Sequence, residues 1–376
     1  MQLIEVKTKK DAKAFLDVAR VLYKDDPVWV CPLDNDINNV FSPERNSFYN
    51  HGEAIRWILR DDKGKLIGRI AAFINENKAE INGKRLGGLG FFECIEDQEL
   101  AFLLFDTAKA WLLERKVEVV HGPINFGEND NFWGLLVEGY THPSYGMAYN
   151  FPYYQTFFEN YGFTTKMEQM TNHLDISNGL SPRFVKIGNY VLQRRTNVKV
   201  EHFVWKKFDK YAEDFMYIYN QAWADHPNFT PITKGYVIDT LKKIKPIHEP
   251  LFIQFAYVNG EPASFVMCLP DVNQIFRKFK GKMHLWNKLR FLWYQKRKTV
   301  ISRIRVVVMG TAPKFQNMGL ESVLTLKCFE GAMYRGHYTE GELSWVGDFN
   351  DKMIAIHKNL GAVPGKKHIT YSLDIA

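Results

Sequence analysis

One stretch, residues 303–324, leaves this chain few ways to fold. Arg303 to Met309 is β-branched and apolar, as an interior strand must be, and Pro313 ends it because proline has no N–H to give to a ladder. Gln316-x-x-Gly319 then opens a run of helical character. A strand feeding a tight glycine loop and a helix leaves the helix's first amides without partners. With the partial positive charge of the helix start, those amides seat a phosphate or pyrophosphate without any basic side chain. A plain βαβ unit with a glycine-capped helix has the same local pattern, so the segments that follow must decide.

They come in a definite order: a helix to about Arg335, a strand from Glu340 to Val346, the run Asn350-x-x-x-Ile354-Ala355-x-His357-Lys358-Asn359-Leu360-Gly361, and a closing strand from Thr370 to Ile375. In order and spacing the chain resembles the acyl-CoA N-acyltransferases of the GCN5-related (GNAT) superfamily, whose Gln/Arg-x-x-Gly-x-Gly/Ala loop holds the coenzyme A pyrophosphate. The resemblance implies coenzyme A or acyl-CoA as cosubstrate, no metal, and pyrophosphate contacts from Gln316, Asn317, Met318, Gly319 and Leu320. It implies that strand-end amides at Met309, Gly310 and Thr311 polarise the thioester, and it sets Asn350 beside the coenzyme while that residue caps the next helix. Glu321 stands where the pattern has a small residue. His357 stands where the superfamily often has a tyrosine that protonates the leaving thiolate, and a histidine has the pKa for that task. For the amine proton, Glu340 and Glu342 share one face of their strand; solvated edge carboxylates would look the same.

The chain also repeats itself. Phe158-Glu-Asn160-Tyr-Gly162 is followed by Leu174-Asp175-Ile176 at the same offset that separates His357-Lys-Asn359-Leu-Gly361 from Leu373-Asp374-Ile375. Upstream of each, residues 55–73 and 251–267 read as hairpins with glycine in the turn. The expected architecture is therefore α/β: two tandem GNAT-like domains with mixed, mainly antiparallel sheets flanked by helices, residues 1–177 and 178–376, divided within the polar stretch Ser177 to Asn197. The halves are unequal. After its own apolar strand near Leu89 to Phe92 the first half has Glu93-Cys-Ile-Glu-Asp-Gln-Glu-Leu, acidic and without glycine, which would repel a pyrophosphate. Coenzyme A is expected only in the second half, with the first shaping the acceptor pocket.

Composition narrows the class further. Cys31, Cys94, Cys268 and Cys328 show no metal or disulfide spacing, the first residues read as a strand and not a signal peptide, and no apolar run is long enough to span a bilayer. A cytoplasmic protein, peripheral at most, is expected. The net charge of +7 is concentrated: no acid occurs between Asp271 and Glu321, a stretch holding twelve lysines and arginines.

Two more segments carry the reading. His121, Asn125, Glu128, Asn129 and Trp133, with Gly134-x-Leu-x-x-x-Gly139, then Tyr149, Asn150 and Tyr153, crowd polar side chains and glycines between aromatic clusters, which suits an acceptor pocket as well as it suits turns. These segments resemble a bacterial family of tandem acyltransferase-like proteins whose relatives include the bacterial ceramide synthases, and this implies an amine acceptor, of sphingoid type if lipidic. The basic aromatic insertion at about 272–300 places Leu285, Leu289, Leu292 and Trp293 on one helical stripe, with Trp286 beside it. Such a helix either packs on the core or lies on an anionic membrane at the entrance to the acceptor pocket. Nucleic acid has no place in the preferred reading, since no RNA-binding signature accompanies the charge. The competing readings are a Fem-like aminoacyl transferase using tRNA, with a projecting helical arm, and a catalytically silent acyl-CoA-binding protein.

Overall fold

A computed structural model describes residues 1–129, 131–224, 231–297 and 300–376. The first repeat runs β1 (Gln2–Glu5), α1 (Lys9–Leu22), α2 (Asp34–Val40), β2 (Gly52–Arg60), β3 (Leu66–Asn75), β4 (Glu80–Ile81), β5 (Lys84–Cys94), α3 (Gln98–Glu114), β6 (Val119–Gly122), β7 (Leu135–Glu138), α4 (Tyr153–Tyr161) and β8 (Thr164–Asp175). The second runs α5 (Pro182–Arg194), β9 (Val198–His202), α6 (Phe208–Ala222), α7 (Lys234–Ile244), β10 (Ile253–Val258), β11 (Glu261–Pro270), α8 (Asn273–Phe276), α9 (Leu285–Gln295), β12 (Arg303–Thr311), α10 (Leu320–Arg335), β13 (Glu340–Gly347), α11 (Asp351–Leu360) and β14 (Val363–Asp374).

The repeat seen in the sequence is one of structure. The hairpins are β2–β3 and β10–β11; the second turns through Asn259 and Gly260, both at positive φ, as a two-residue hairpin turn requires. Helices α4 and α11 each end on a left-handed glycine, Gly162 at φ 105° and Gly361 at φ 89°, and each is followed by a strand of 12 residues.

The compact units do not follow the cut between 177 and 178. One comprises residues 1–170, 273–291 and 365–376, the other residues 171–272 and 292–364. The last strand of each repeat therefore contributes residues to the unit built mainly from the other, and α8 with most of α9 is counted with the first unit. In the first unit the strand order is β1-β2-β3-β5-β6-β14, antiparallel except for the parallel pair β5–β6. Its core is aromatic: Phe92, Phe105, Tyr154 and Phe158 pack edge to face and stacked between α3, α4 and the sheet. In the second unit the order is β13-β12-β11-β10-β9, with β12–β13 parallel. Phe215, Phe255 and Phe265 centre the core under α6.

The stretch Ser177 to Asn197 is not a linker. Ser181 caps α5, Pro182 opens it, and Phe184, Gly188 and Val191 bury one face, with Gly188 against Leu326 of α10.

Candidate functional site

Strands β12 and β13 pair at only three positions, Arg303↔Glu340, Ile304↔Gly341 and Arg305↔Glu342, and then part. At the parting β12 carries a bulge: Val308 faces Met267 and Val306 faces Cys268, so Val307 has no partner in β11. The Ser344 hydroxyl bridges the opening, reaching the Val306 and Val307 carbonyls. Of the expected strand-end residues, Met309 lines the cavity described below, Gly310 lies under Trp223, and Thr311 points its hydroxyl at Glu321.

The loop after β12 turns through two left-handed residues, Asn317 (φ 63°) and Gly319 (φ 76°), into α10, whose start receives no side-chain cap. Phe315 and Leu320 are buried anchors on either side, Met318 is half-buried, and Gln316 reaches toward Lys352. A left-handed turn leading into a helix start with no side-chain cap is a local arrangement suited to an anion. Glu321 does not cap them; its carboxylate accepts from the Thr311 hydroxyl at 2.7 Å, which in turn lies 2.8 Å from that of Ser264. Asn350 caps α11, accepting from the Met353 amide at 3.2 Å.

The first unit closes the equivalent place by two devices. The Asp97 carboxylate caps α3, accepting from the Glu99 and Leu100 amides at 3.0 and 3.2 Å, so an anion is already there. The chain after β6 also stays on β5, where the Ile124 amide donates to the Leu89 carbonyl at 2.8 Å. Glu93 is not the repelling charge. It is buried, takes hydrogen bonds from Tyr23 at 2.6 Å and Tyr154 at 2.9 Å, and pairs with Arg69 at 3.2 Å. Burial raises its pKa, with Arg69 opposing.

Beneath α10 in the second unit lies an almost wholly apolar cavity of about 60 Å³, walled by Cys268, Cys328, Ala332, Gly341, Leu343 and Met309 among others. His357 and Thr325 are the polar residues in its wall. Burial lowers the His357 pKa to about 4, so at neutral pH the ring is uncharged. Asn172 Nδ2 lies 2.8 Å from His357 Nδ1; with the amide donating, the ring proton sits on Nε2. Cys268 and Cys328, remote in sequence, both line this cavity, and the Cys328 thiol donates to the Phe252 carbonyl at 3.7 Å.

Glu340 and Glu342 are engaged elsewhere. Glu340 lies 3.2 Å from Arg303, which also pairs with Asp271, and Glu342 is buried 3.8 Å from Arg305. Both stand at the paired end of the strands, while Gly341 and Leu343, of opposite parity, face the cavity.

The acceptor-segment residues lie in the first unit. Asn150 ties β7 to the next turn, exchanging hydrogen bonds with Leu136 at 2.7 and 3.0 Å; Tyr149 donates to Asp26 and Tyr153 to the Cys94 carbonyl. Half-buried His121 has its pKa lowered to about 4 by burial, with Lys166 adding to it. Glu128 and Asn129 are exposed, and Asp130 falls outside the described residues. Asn125 Oδ1 and Trp133 Nε1 are buried and have no hydrogen-bond partner among the described residues.

No protein-family model matches the chain. It is 28% identical over 380 residues to a bacterial ceramide synthase of Caulobacter vibrioides (99% of this chain, 97% of the relative), and 26% identical over 374 residues to protein YghO of Escherichia coli K12 (98% and 94%). Among solved structures it superposes on a tandem GNAT protein from the clavulanic acid biosynthesis pathway at TM-score 0.60, with 11% identity and coverage of 100% and 98%. A GCN5-related N-acetyltransferase from Sphaerobacter thermophilus gives 0.55, 10%, 99% and 96%.

Proposed function

From a chain with the tandem GNAT fold, we propose an acyl-CoA-dependent N-acyltransferase whose acceptor is an amine, of lipidic, sphingoid type. The observation that carries this is the parting of β12 and β13 beside an apolar cavity, with an uncapped helix start following β12. Residues 317–320 would hold the pyrophosphate. Coenzyme A supplies an acyl group already activated as a thioester. The bulge at Val307 offers backbone polarity where the strands open, and the cavity takes the alkyl part of the acyl group. His357, neutral and with Nε2 as donor, hydrogen-bonds the departing sulfur, and the proton that the attacking amine loses passes to that sulfur, so that the products are the amide and free thiol. Glu340 and Glu342 are assigned to strand pairing. Asn125 and Trp133, whose buried polar atoms have no partner among the described residues, are assigned to acceptor recognition. Likeness to a bacterial ceramide synthase over 99% of this chain supports the lipidic acceptor.

Calorimetry with acyl-CoAs of graded length tests the reading. One site per chain and an affinity gain of about fourfold per methylene until the cavity is full are expected, at ~0.8 kcal/mol per buried methylene. Affinity independent of chain length would remove the cavity from the acyl site. A silent acyl-CoA-binding protein is the second reading, favoured by Glu321 at the small-residue position and by histidine at 357; binding without turnover would establish it. The Fem-like reading expects a projecting helical arm. Among the described residues the longest helix of the second repeat is α10, with 16 residues, and it roofs the cavity.

A further inference from the structure

Helix α9 is apolar on the wrong side for a core helix. Among its inward contacts, Phe291 stacks on Phe276 at 5.4 Å, Asn287 Nδ2 donates to the Lys282 carbonyl at 2.7 Å, and Arg290 lies over Phe279. The turn before it is pinned by Gly281, at φ 79°, whose carbonyl accepts from the Asp34 amide at 2.8 Å. Its largest side chains point outward. Leu285 is 69% exposed, Trp286 72%, and Leu289, Leu292 and Trp293 about half. At spacings of one, four, seven and eight from Leu285 they make one continuous stripe. Lys288, Lys296 and Arg297 are exposed beside it, with the Arg297 guanidinium 3.8 Å from the Trp293 ring; Lys298 lies outside the described residues.

We infer that α9 is an interfacial helix that docks this protein on an anionic lipid surface, with the Leu285–Trp293 stripe in the headgroup–acyl boundary and the flanking cations on the lipid phosphates. Two tryptophans in water on a helix that itself carries no acidic residue are poorly explained by solubility, and their indoles suit the membrane interface. Charge selects the occupant. A second copy would bring cation against cation, and a nucleic acid would use the cations while leaving the aliphatic stripe wet. An anionic bilayer satisfies both faces at once. Docking stands apart from the proposed activity and would hold for a silent protein too. Among the described residues no helix is long and apolar enough to cross a membrane, and an interfacial helix needs none.

Flotation of the full chain with phosphatidylcholine vesicles, with and without phosphatidylglycerol, at physiological salt tests it. Binding is expected only with the anionic lipid. Each engaged cation is worth about fivefold in partitioning, so the variant Lys288→Gln/Lys296→Gln/Arg297→Gln should lose about two orders of magnitude. Leu285→Ser/Trp286→Ser/Leu289→Ser should lose binding comparably, and because these side chains are exposed, its thermal melt should match the parent's. Equal binding to neutral vesicles, no binding to either, or stripe-dependent dimers in lipid-free light scattering would each overturn the inference.

Discussion

Replacing Gly341 by alanine sets stability against chemistry. Gly341 is buried on β13, its φ is not in the left-handed region, and a Cβ there would meet Leu174 Cβ at 3.5 Å and Ile176 at 3.7 Å, which is ordinary contact. The new methyl enters the cavity without displacing backbone. Reduced freedom of the unfolded chain contributes ~0.4–1 kcal/mol and burial of one methyl ~0.8 kcal/mol, so unfolding should become harder by about 1–2 kcal/mol. The whole cavity, at ~24 cal/mol per Å³, represents roughly 1.5 kcal/mol of forgone stability, the ceiling for filling it by any substitution. The same methyl takes room from the acyl chain, so the preferred acyl-CoA should shorten by one to two carbons while the shortest substrates react as before. Urea titration gives the first quantity and kcat/KM across acyl-CoAs the second. Increased stability with an unchanged chain-length profile would refute the placement of the acyl chain; decreased stability would refute the reading of this volume as free space.

Titration of His357 gives a pH signature. Its pKa is about 4 in the folded protein against an ordinary 6.5, so below pH 6.5 the unfolded chain takes up a proton that the folded one refuses. Stability should fall by roughly 3 kcal/mol as the pH drops from 7 to 4, then level, and His357→Gln should flatten that part of a pH series of urea melts. Asp97→Ala should cost about 1 kcal/mol through loss of the α3 cap yet leave coenzyme stoichiometry at one by calorimetry, since Ile124 still lies on β5. Glu93→Ala should cost roughly 3–5 kcal/mol in urea titration, because it strands the buried Arg69 charge.

What could be read from the sequence was local. The Gly162 and Gly361 caps, the two hairpins and the β12-loop-α10 unit each depend on a few neighbouring residues whose backbone needs are specific, and each stands where expected. Helix α5 was missed, although Ser181, Pro182, Phe184 and Val191 mark it, because its polar outer face reads as a domain boundary. The cavity was not legible, because its walls come from β8, β11, β12, β13, α10 and α11, and only folding brings Cys268 and Cys328 into one wall or Asn172 to His357. Nor was the bulge at Val307, which depends on register against β11 and not on residue type. For the carboxylates, side-chain parity was right and destination was not, since Arg303 and Arg305 lie directly opposite Glu340 and Glu342. For α9 the spacing defined the stripe, while its outward direction needed Phe291 and Asn287 to be seen turned in.

The central claim is transfer of an acyl group from coenzyme A to an amine by a site in the second repeat. Purified protein incubated with a long-chain acyl-CoA and a sphingoid base, followed by thiol release and by mass spectrometry of the lipid extract, measures it directly. One amide formed per free coenzyme A thiol, with the rate lost in Gly319→Val and retained in Cys94→Ala, is the predicted result. Tight acyl-CoA binding with no amide, or thiol release by hydrolysis with the amine untouched, would contradict it.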